Sequence, residues 1–234
     1  MIRNLLTALF LAPILGLVAA GKISAGAPDD CQPPSGPIVY RIIHEGDDVG
    51  RLKISIQANG AEMAIYTVID IGITLAYVIP VLNYRHESTE VWRNGLFERF
   101  DGMTVDNGRE RIITVLPEGT GLRLHKAGDA PTIVDAALLS WTVWCEVALK
   151  ASRLLNPLKG RTKEFTAQLV GEETTTLEEA SVSGRRYDVE FRTPDGSDVR
   201  AGAVWYGGDG IVVAFTFPTK RETQASLIRV APGD

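Results

Sequence analysis

The chain has 234 residues, of which 45% are hydrophobic and 23% are charged, and its formal net charge is −5. This is the composition of a globular protein with a sizeable core, and it favours a single domain. The basic residues do not cluster beyond pairs such as Arg185 and Arg186. The acidic balance therefore excludes nucleic acid as an expected partner and argues against docking on anionic lipid surfaces.

The first 27 residues have the three parts of a secretory signal. Arg3 lies in a short polar start, an apolar run extends from Leu5 to Ala20, and small residues follow. Cleavage after Ala20 and cleavage after Ala27 both satisfy the small-residue rule. An uncleaved anchor is the competing interpretation, but the apolar run is shorter than the roughly 20 residues that a membrane span needs. We expect a periplasmic or outer-membrane-associated protein, with no integral membrane span after signal removal.

Residues 28–36 are typical of a flexible Pro-rich segment, and residues 37–230 are typical of a single β domain. Apolar and polar residues alternate with period two from Pro37 onward, and Asn-Gly pairs at Asn94 and Asn107 predict tight hairpins. The most apolar run, Ala64–Leu82, is rich in β-branched residues and contains Pro80. We interpret it as a long strand that bends at Gly72 or breaks near Pro80, because a membrane helix would be richer in leucine and alanine.

One long stretch, Asp135–Asn156, has helical rather than strand periodicity. Its apolar face is predicted to consist of Trp141, Trp144, Ala148, Ala151 and Leu155, and its polar face of Glu146, Lys150 and Arg153. The expected fold is therefore mainly β with one main helix. We expect a curved antiparallel sheet or half-open barrel of about ten strands, wrapped around this amphipathic helix.

The chain contains two cysteines, Cys31 and Cys145. In an oxidising compartment they could form a disulfide that ties the N-terminal segment to the predicted helix. The alternative is that Cys145 is a small buried filler and Cys31 is a free thiol. The spacing of the two cysteines does not suggest a metal site, and nothing in the sequence indicates a cofactor.

Several short motifs follow one another between residues 38 and 220. They are His86, Glu90 and Trp92 in HESTEVWRNG, Asn107-Gly108, Trp144 with Leu154–Asn156 and Gly160, Gly171-Glu172-Glu173, Arg186-Tyr187 and Trp205-Tyr206. In this order they resemble a family of uncharacterised secreted proteobacterial proteins that share a domain of unknown function. The resemblance implies a fold near the curved β-sheets of the LolA/LolB type, and it implies no established activity.

The chain departs from that family pattern at three places. Val143 stands where an aromatic residue is usual, Cys145-Glu146 where Asn-Pro is usual, and Gly207 where an aspartate is usual. The lost proline would let the predicted helix begin earlier. The lost aspartate weakens the idea that it served as a catalytic carboxylate.

His86 and Glu90 are the polar candidates for chemistry. On a strand they face the same side as Trp92, and an imidazole with a carboxylate can act as a general acid/base pair or as two metal ligands. A paired surface histidine and carboxylate is the more common arrangement in sheets, and the sequence shows neither a third ligand nor a nucleophile motif beside them. We therefore favour a structural pair at this position over a catalytic or metal-binding one.

The expected function is that of an exported envelope protein that binds or carries a lipid-like or other hydrophobic small molecule. The candidate pocket lining consists of Trp92, Trp141, Trp144, Trp205 and Tyr206. The same aromatic residues could instead fill a solid core. A structural or assembly role in the envelope is the alternative, and an enzyme that uses His86 and Glu90 ranks behind both. The sequence gives no indication of the oligomeric state.

Overall fold

The fold is one large β-sheet that winds through the whole described chain. The computed structural model describes residues 32–75, 79–135, 138–139, 144–156, 160–218 and 223–230. The sheet has fifteen strands in these residues: β1 (Ile38–His44), β2 (Asp47–Asn59), β3 (Glu62–Leu75), β4 (Ile79–Arg93), β5 (Leu96–Asp106), β6 (Arg109–Glu118), β7 (Gly121–Lys126), β8 (Thr132–Asp135), β9 (Leu138–Leu139), β10 (Arg153–Asn156), β11 (Arg161–Leu177), β12 (Ala180–Arg192), β13 (Val199–Tyr206), β14 (Val212–Pro218) and β15 (Gln224–Arg229).

The strand order is β8-β7-β6-β5-β4-β3-β2-β1-β15-β14-β13-β12-β11-β10-β9. Neighbouring strands are antiparallel, apart from the short parallel pair of β9 and β10. The sheet is thus two meanders, β1–β8 and β10–β15, which are joined where the first strand pairs with the last. Short turns make this topology possible, and residues with left-handed backbone close them, such as Asn94 and Asn107, each followed by a glycine.

The two outer edges of the sheet come together although no strand pairing joins them in the described residues. Only two residues separate the end of β8 at Asp135 from the start of β9 at Leu138, so these Cα atoms lie within about 11 Å of each other. A Cβ built on Gly160, in the turn after β10, would meet Leu124 of β7 at 2.8 Å. The sheet is therefore rolled, with its far edge against β7.

Strand β10 lies inside this roll and is buried on both faces. Leu154 packs into the central cluster, which contains inward-facing residues of β1–β4 and β11–β15. Leu155 points to the opposite face and packs with Phe100, Val115 and Leu124 of β5–β7 in a second cluster. The β9–β10 edge is thus tucked beneath the opposite edge, and burial of apolar side chains such as Leu155 stabilises this contact.

The long hairpin β11–β12 folds over the outer face of the sheet. A register shift between Leu169 and Gly171 bends the hairpin. Beyond the bend, Val182 packs with Trp205 in a small cluster on the outer face. At the hairpin tip, Ser226 Oγ of β15 donates a hydrogen bond to Glu178 Oε1 at 3.2 Å. The distal half of the hairpin therefore covers the outer side of β13–β15.

The prediction of an amphipathic helix at Asp135–Asn156 is wrong. In the described part of Asp135–Asn156, strands β9 and β10 flank a five-residue 3-10 helix, Glu146–Lys150, and the described residues contain no α-helix. The apolar residues in this stretch are buried on both sides, as Leu154 and Leu155 show, so their spacing imitates a helical period without being one. Lys150 is exposed as expected, whereas Glu146 is half-buried.

The expected count of about ten strands is also wrong. Strands β8, β9 and β10 were not predicted; they are only two to four residues long, and β9 and β10 lie within the stretch predicted as a helix. Residues 178–184 contain a two-residue turn, Glu178-Glu179, followed by the start of β12. The apolar run Ala64–Leu82 is divided between β3 and β4, which lie antiparallel in a hairpin.

In the described part of the chain, no helix is long and apolar enough to cross a membrane. The predicted signal segment, both of its cleavage sites, and Cys31 and Trp141 lie outside the described residues.

Candidate functional site

The candidate site lies on the inner face of β4. Residues alternate along this strand, so His86, Ser88 and Glu90 share the inward side. Their outward neighbours Arg85 and Glu87 form an exposed ion pair at 2.5 Å. The strand lies between β3 and β5, and both pair with it over almost its whole length. Each inward side chain of β4 therefore has one inward neighbour on either side.

His86 is 1% exposed and has one satisfied ring nitrogen. Its Nδ1 is 2.8 Å from Thr104 Oγ1 of β5. Its Nε2 has no hydrogen-bond partner among the described residues. Burial lowers the pKa of His86 to about 4, although the Glu87 charge and the Met103 backbone oppose this shift. The imidazole is therefore neutral at physiological pH.

Glu90 is 3% exposed, and its neighbours across the sheet are Ile65 of β3 and Phe100 of β5. Trp92 Nε1 donates a hydrogen bond of 2.5 Å to Glu90 Oε1. Burial raises the pKa of Glu90 to about 8, against the opposing effect of this bond. Most of the Glu90 carboxyl groups are therefore protonated and uncharged at neutral pH.

A row of small residues separates His86 from Glu90. Ser88 pairs with Thr67 of β3 on one side and with Gly102 of β5 on the other. Ser88 is half-buried, although His86 and Glu90 on either side of it are buried. A Cβ built on Gly102 would meet His86 Cε1 at 3.2 Å, so the imidazole leans over the glycine.

The segment Trp144–Lys150 lies on the other side of the interior. The Trp144 side chain is 2% exposed and belongs to the central cluster, and its Nε1 has no hydrogen-bond partner among the described residues. Glu146 accepts short hydrogen bonds from Arg185 and from the Tyr187 hydroxyl. These bonds fix the 3-10 helix against β12 and hold Trp144 inside the roll.

The adjacent aromatic residues Trp205 and Tyr206 face opposite sides of β13. Tyr206 lies in the central cluster, where its ring meets that of Tyr187 edge to face, with centroids 5.9 Å apart. Trp205 lies under the folded hairpin on the outer face. Its Nε1 donates to Glu173 Oε2 at 2.8 Å, and the Arg186 guanidinium lies 5.5 Å from its ring centroid. Trp205 is thus placed away from the interior.

Of the predicted pocket residues, the structure places Trp92, Trp144 and Tyr206 in one interior cluster. Trp141 lies outside the described residues. Cys145 is buried beside Trp144, and its predicted partner Cys31 is not among the described residues, so their disulfide stays a prediction. The described residues contain no group of three or more His, Cys, Asp and Glu side chains that could hold a metal ion.

Sequence reasoning missed the small polar residues of the site, Thr67, Ser88 and Thr104. Each stands at an inward position of a strand where an apolar residue is the rule. With the strand register known, this departure from alternation would have identified them. Without the register, Thr and Ser in a strand are not informative.

Residues 40–229 match the model of a family described as a domain of unknown function, DUF6134. The chain belongs to this family. No curated protein matches it. Among solved structures, it is similar to a beta-barrel-like protein of domain of unknown function DUF1849 from Brucella abortus, with 10% identity and a TM-score of 0.57 over 83% of this chain and 94% of that one. At this identity the likeness shows a shared fold only.

A second solved structure, described as a "putative lipoprotein" from Parabacteroides distasonis ATCC 8503, matches with 10% identity. Its TM-score is 0.28 over 85% of this chain and 95% of that one. A score this low carries no argument about fold or function.

Proposed function

We propose that this protein is exported to the cell envelope and binds a lipid-like or other hydrophobic small molecule in the interior of its rolled sheet. One observation carries the proposal: two polar atoms, His86 Nε2 and Trp144 Nε1, are buried in an apolar interior without a described partner. A buried polar group left without a hydrogen bond costs roughly 1–3 kcal/mol. A bound molecule with a hydrogen-bonding group would satisfy either atom.

The shape of the sheet supports the same function. Rolled antiparallel sheets enclose an interior whose walls are lined by every second side chain of each strand. Here those side chains are mostly apolar, with a few polar groups on β4, and ligand sites commonly have this composition. The predicted resemblance to LolA/LolB-type carriers is part of the proposal, and it would make the bound molecule a lipid in transit.

Export is the second part of the proposal, and it is supported by the three-part pattern of residues 1–27. Fractionation of cells that express the full chain, followed by N-terminal sequencing of the product, tests it. We expect the mature protein in the periplasm or at the outer membrane, with a new N-terminus at Gly21 or Pro28. Recovery of the uncleaved chain from the inner membrane would contradict this part.

Catalysis by His86 and Glu90 has less support than binding. Four residues along a strand separate their Cα atoms by about 13 Å. Each side chain also has its own described partner, Thr104 for His86 and Trp92 for Glu90. The geometry therefore does not join them as a hydrogen-bonded acid/base pair.

A structural or assembly role is the second candidate, and one observation favours it. Tyr66, Met103 and Ile112 are exposed on the outer face of neighbouring strands, and Met103 and Ile112 are direct cross-strand partners. Exposed apolar side chains on adjacent strands are a common feature of protein interfaces. Light scattering after size exclusion measures the molar mass in solution and distinguishes the two roles. Met103→Lys should reduce the molar mass of an assembly to that of the monomer, and it should leave interior ligand binding unchanged.

Native mass spectrometry of the exported protein, purified without detergent and followed by lipid extraction, tests ligand binding directly. We expect a bound species in stoichiometric amount. Trp144→Phe keeps an aromatic ring in the central cluster but removes the indole N–H, so it should reduce the bound fraction. Lys150→Ala, in the same segment but exposed, is the matched control. A ligand-free protein in which both variants behave like the wild type would overturn the proposal.

A further inference from the structure

The inner wall of the sheet contains a shallow row of small residues between two buried polar side chains. Thr67, Ser88 and Gly102 are successive partners across β3, β4 and β5, and all three face inward. His86 flanks this row on one side and Glu90 flanks it on the other. The side chain of Ser88 is more accessible than that of either flanking residue. We call the row of Thr67, Ser88 and Gly102 the floor; of the three, only Ser88 is partly accessible, whereas Thr67 and Gly102 are buried.

The His86 ring is directed at this floor. Thr104 occupies its Nδ1, and Cε1 of the ring lies 3.2 Å from the place where a Gly102 Cβ would be. Nε2 is bonded to Cε1, so the ring nitrogen without a described partner lies at the border of the row. A larger residue at 102 would push against both His86 and Phe100.

The cross-strand neighbours that continue this row on the inner face are apolar: Ile54 of β2 pairs with Thr67, and Ile113 of β6 pairs with Gly102. Both flanking residues are neutral near pH 7, because burial lowers the pKa of His86 and raises that of Glu90. Arg111 of β6 is the cross-strand partner of Thr104, but it is exposed and paired with Asp106 at 3.2 Å. A charged group placed on the floor would lose its hydration without gaining a counter-charge.

We propose that the floor formed by Thr67, Ser88 and Gly102, with His86 and Glu90 at its borders, binds the polar head of the ligand and that this head is uncharged and bears hydroxyl groups. A hydroxyl donates and accepts at once, so it can bond to whichever tautomer of His86 is present and to the Ser88 hydroxyl. An acylglycerol or a long-chain alcohol has this chemistry. The inference rests on the proposed function and specifies its ligand class.

The test measures binding of defined probes to the delipidated full-length mature protein by isothermal titration calorimetry. The probes are 1-monooleoylglycerol and oleate, which share one acyl chain and differ in the charge of the head. We expect 1-monooleoylglycerol to bind at least about tenfold more tightly than oleate at pH 7.5. Such a ratio corresponds to about 1.4 kcal/mol.

Two leucine substitutions on β4 distinguish an effect at the floor from an effect elsewhere on the strand. Ser88→Leu fills the floor and should weaken binding of 1-monooleoylglycerol at least about tenfold. Thr89→Leu introduces the same side chain one residue further on, on the opposite face of β4, and should leave the affinity unchanged. His86→Phe keeps a planar ring without Nε2 and should also weaken binding. Urea midpoints of all variants establish that each one folds.

The outcomes are distinct. If oleate binds as tightly as 1-monooleoylglycerol, the inference that the head group is uncharged is overturned. Unchanged affinity in a folded Ser88→Leu variant would overturn the location of the head, while leaving interior ligand binding intact. If neither probe binds and no molecule co-purifies, the proposed function fails together with this inference.

Discussion

Replacement of Glu90 by glutamine should remove most of the pH dependence of stability above pH 6.5. The folded protein raises the pKa of Glu90 from 4.5 to about 8, so between these values the folded state holds a proton that the unfolded state releases. The contribution of Glu90 is therefore fully present below pH 4.5 and decreases as the pH rises to about 8. At 1.36 kcal/mol per pKa unit, the total decrease is at most about 5 kcal/mol.

The contribution of His86 to stability changes with pH in the opposite direction and over a different pH range. Its folded pKa is lowered from 6.5 to about 4, so the folded state binds fewer protons and stability decreases as the pH falls through this range. Between pH 6.5 and pH 8 the Glu90 effect dominates and amounts to at most about 2 kcal/mol, because the unfolded-state imidazole has only half a proton left to lose above its pKa of 6.5. This interval therefore reports mainly on the carboxyl group.

Urea unfolding followed by tryptophan fluorescence at pH 6.5 and pH 8 measures this difference. The wild type should be less stable at pH 8, whereas Glu90→Gln should show nearly equal stability at both values, because its amide oxygen still accepts from Trp92 and has no proton to lose. Glu110→Gln, at an exposed position of β6, should keep the wild-type difference. An equal loss of stability between pH 6.5 and pH 8 in the wild type and in Glu90→Gln would refute the reasoning.

Three further predictions follow from described contacts. Trp144→Ala should destabilise the protein by about 3–5 kcal/mol in urea, because it leaves a cavity in the central cluster, and Lys150→Ala should cost less than about 0.5 kcal/mol. If Cys31 and Cys145 are paired, alkylation of the unfolded exported protein should label both thiols only after reduction, and labelling without reductant would show that they are free. Glu173→Gln should cost about 1–3 kcal/mol by weakening its bonds to the indole and guanidinium groups under the hairpin, and an unchanged urea midpoint would contradict that role.

The sequence predicted the β class and several turns because these are local properties. The Asn94-Gly95 and Asn107-Gly108 pairs require left-handed backbone, and the turns form at those pairs. The full length of hairpin β11–β12 is not evident from local patterns, because its distal half carries glutamate, threonine and serine. That half is stabilised by a tertiary contact of its tip, Glu178, with Ser226, which no local pattern contains.

The predicted helix failed for a physical reason that also explains the site. Leu154 and Leu155 are both buried because β10 is enclosed by the sheet on two sides, so the apolar spacing in this stretch has neither a clear strand period nor a true helical one. A roll whose edge is tucked inside itself depends on contacts between residues far apart in the chain, such as Leu155 with Phe100. Residue spacing gives no information about such contacts.

His86 and Glu90 were predicted to share one face of a strand, and β4 places them so. Whether they face solvent or the interior depends on which side of the sheet is rolled inward, and the sequence does not determine this. Their burial changes their chemistry, because both are neutral near pH 7 and each is bonded to a different neighbour. The row of small residues between them, Thr67, Ser88 and Gly102, can be identified only when the register of β3, β4 and β5 is known.

Polar groups on the two faces of β3 and β4 differ in their cost to stability. On the outer face of β3 and β4, Arg85 is bonded to Asp70 and Glu87, and the ion pairs there are exposed. On the inner face, by contrast, a carboxyl group is buried with its pKa raised and an imidazole has a ring nitrogen without a described partner. Burying such groups in place of apolar side chains costs free energy, even though each has a hydrogen-bond partner, Trp92 for Glu90 and Thr104 for His86. The interior positions of the sheet are otherwise mostly apolar, and the departure from that rule is on the three neighbouring strands β3, β4 and β5, around a partly accessible serine. Departures of this kind are expected where a protein binds something, and they make the inner face of β4 the part of the molecule to test first.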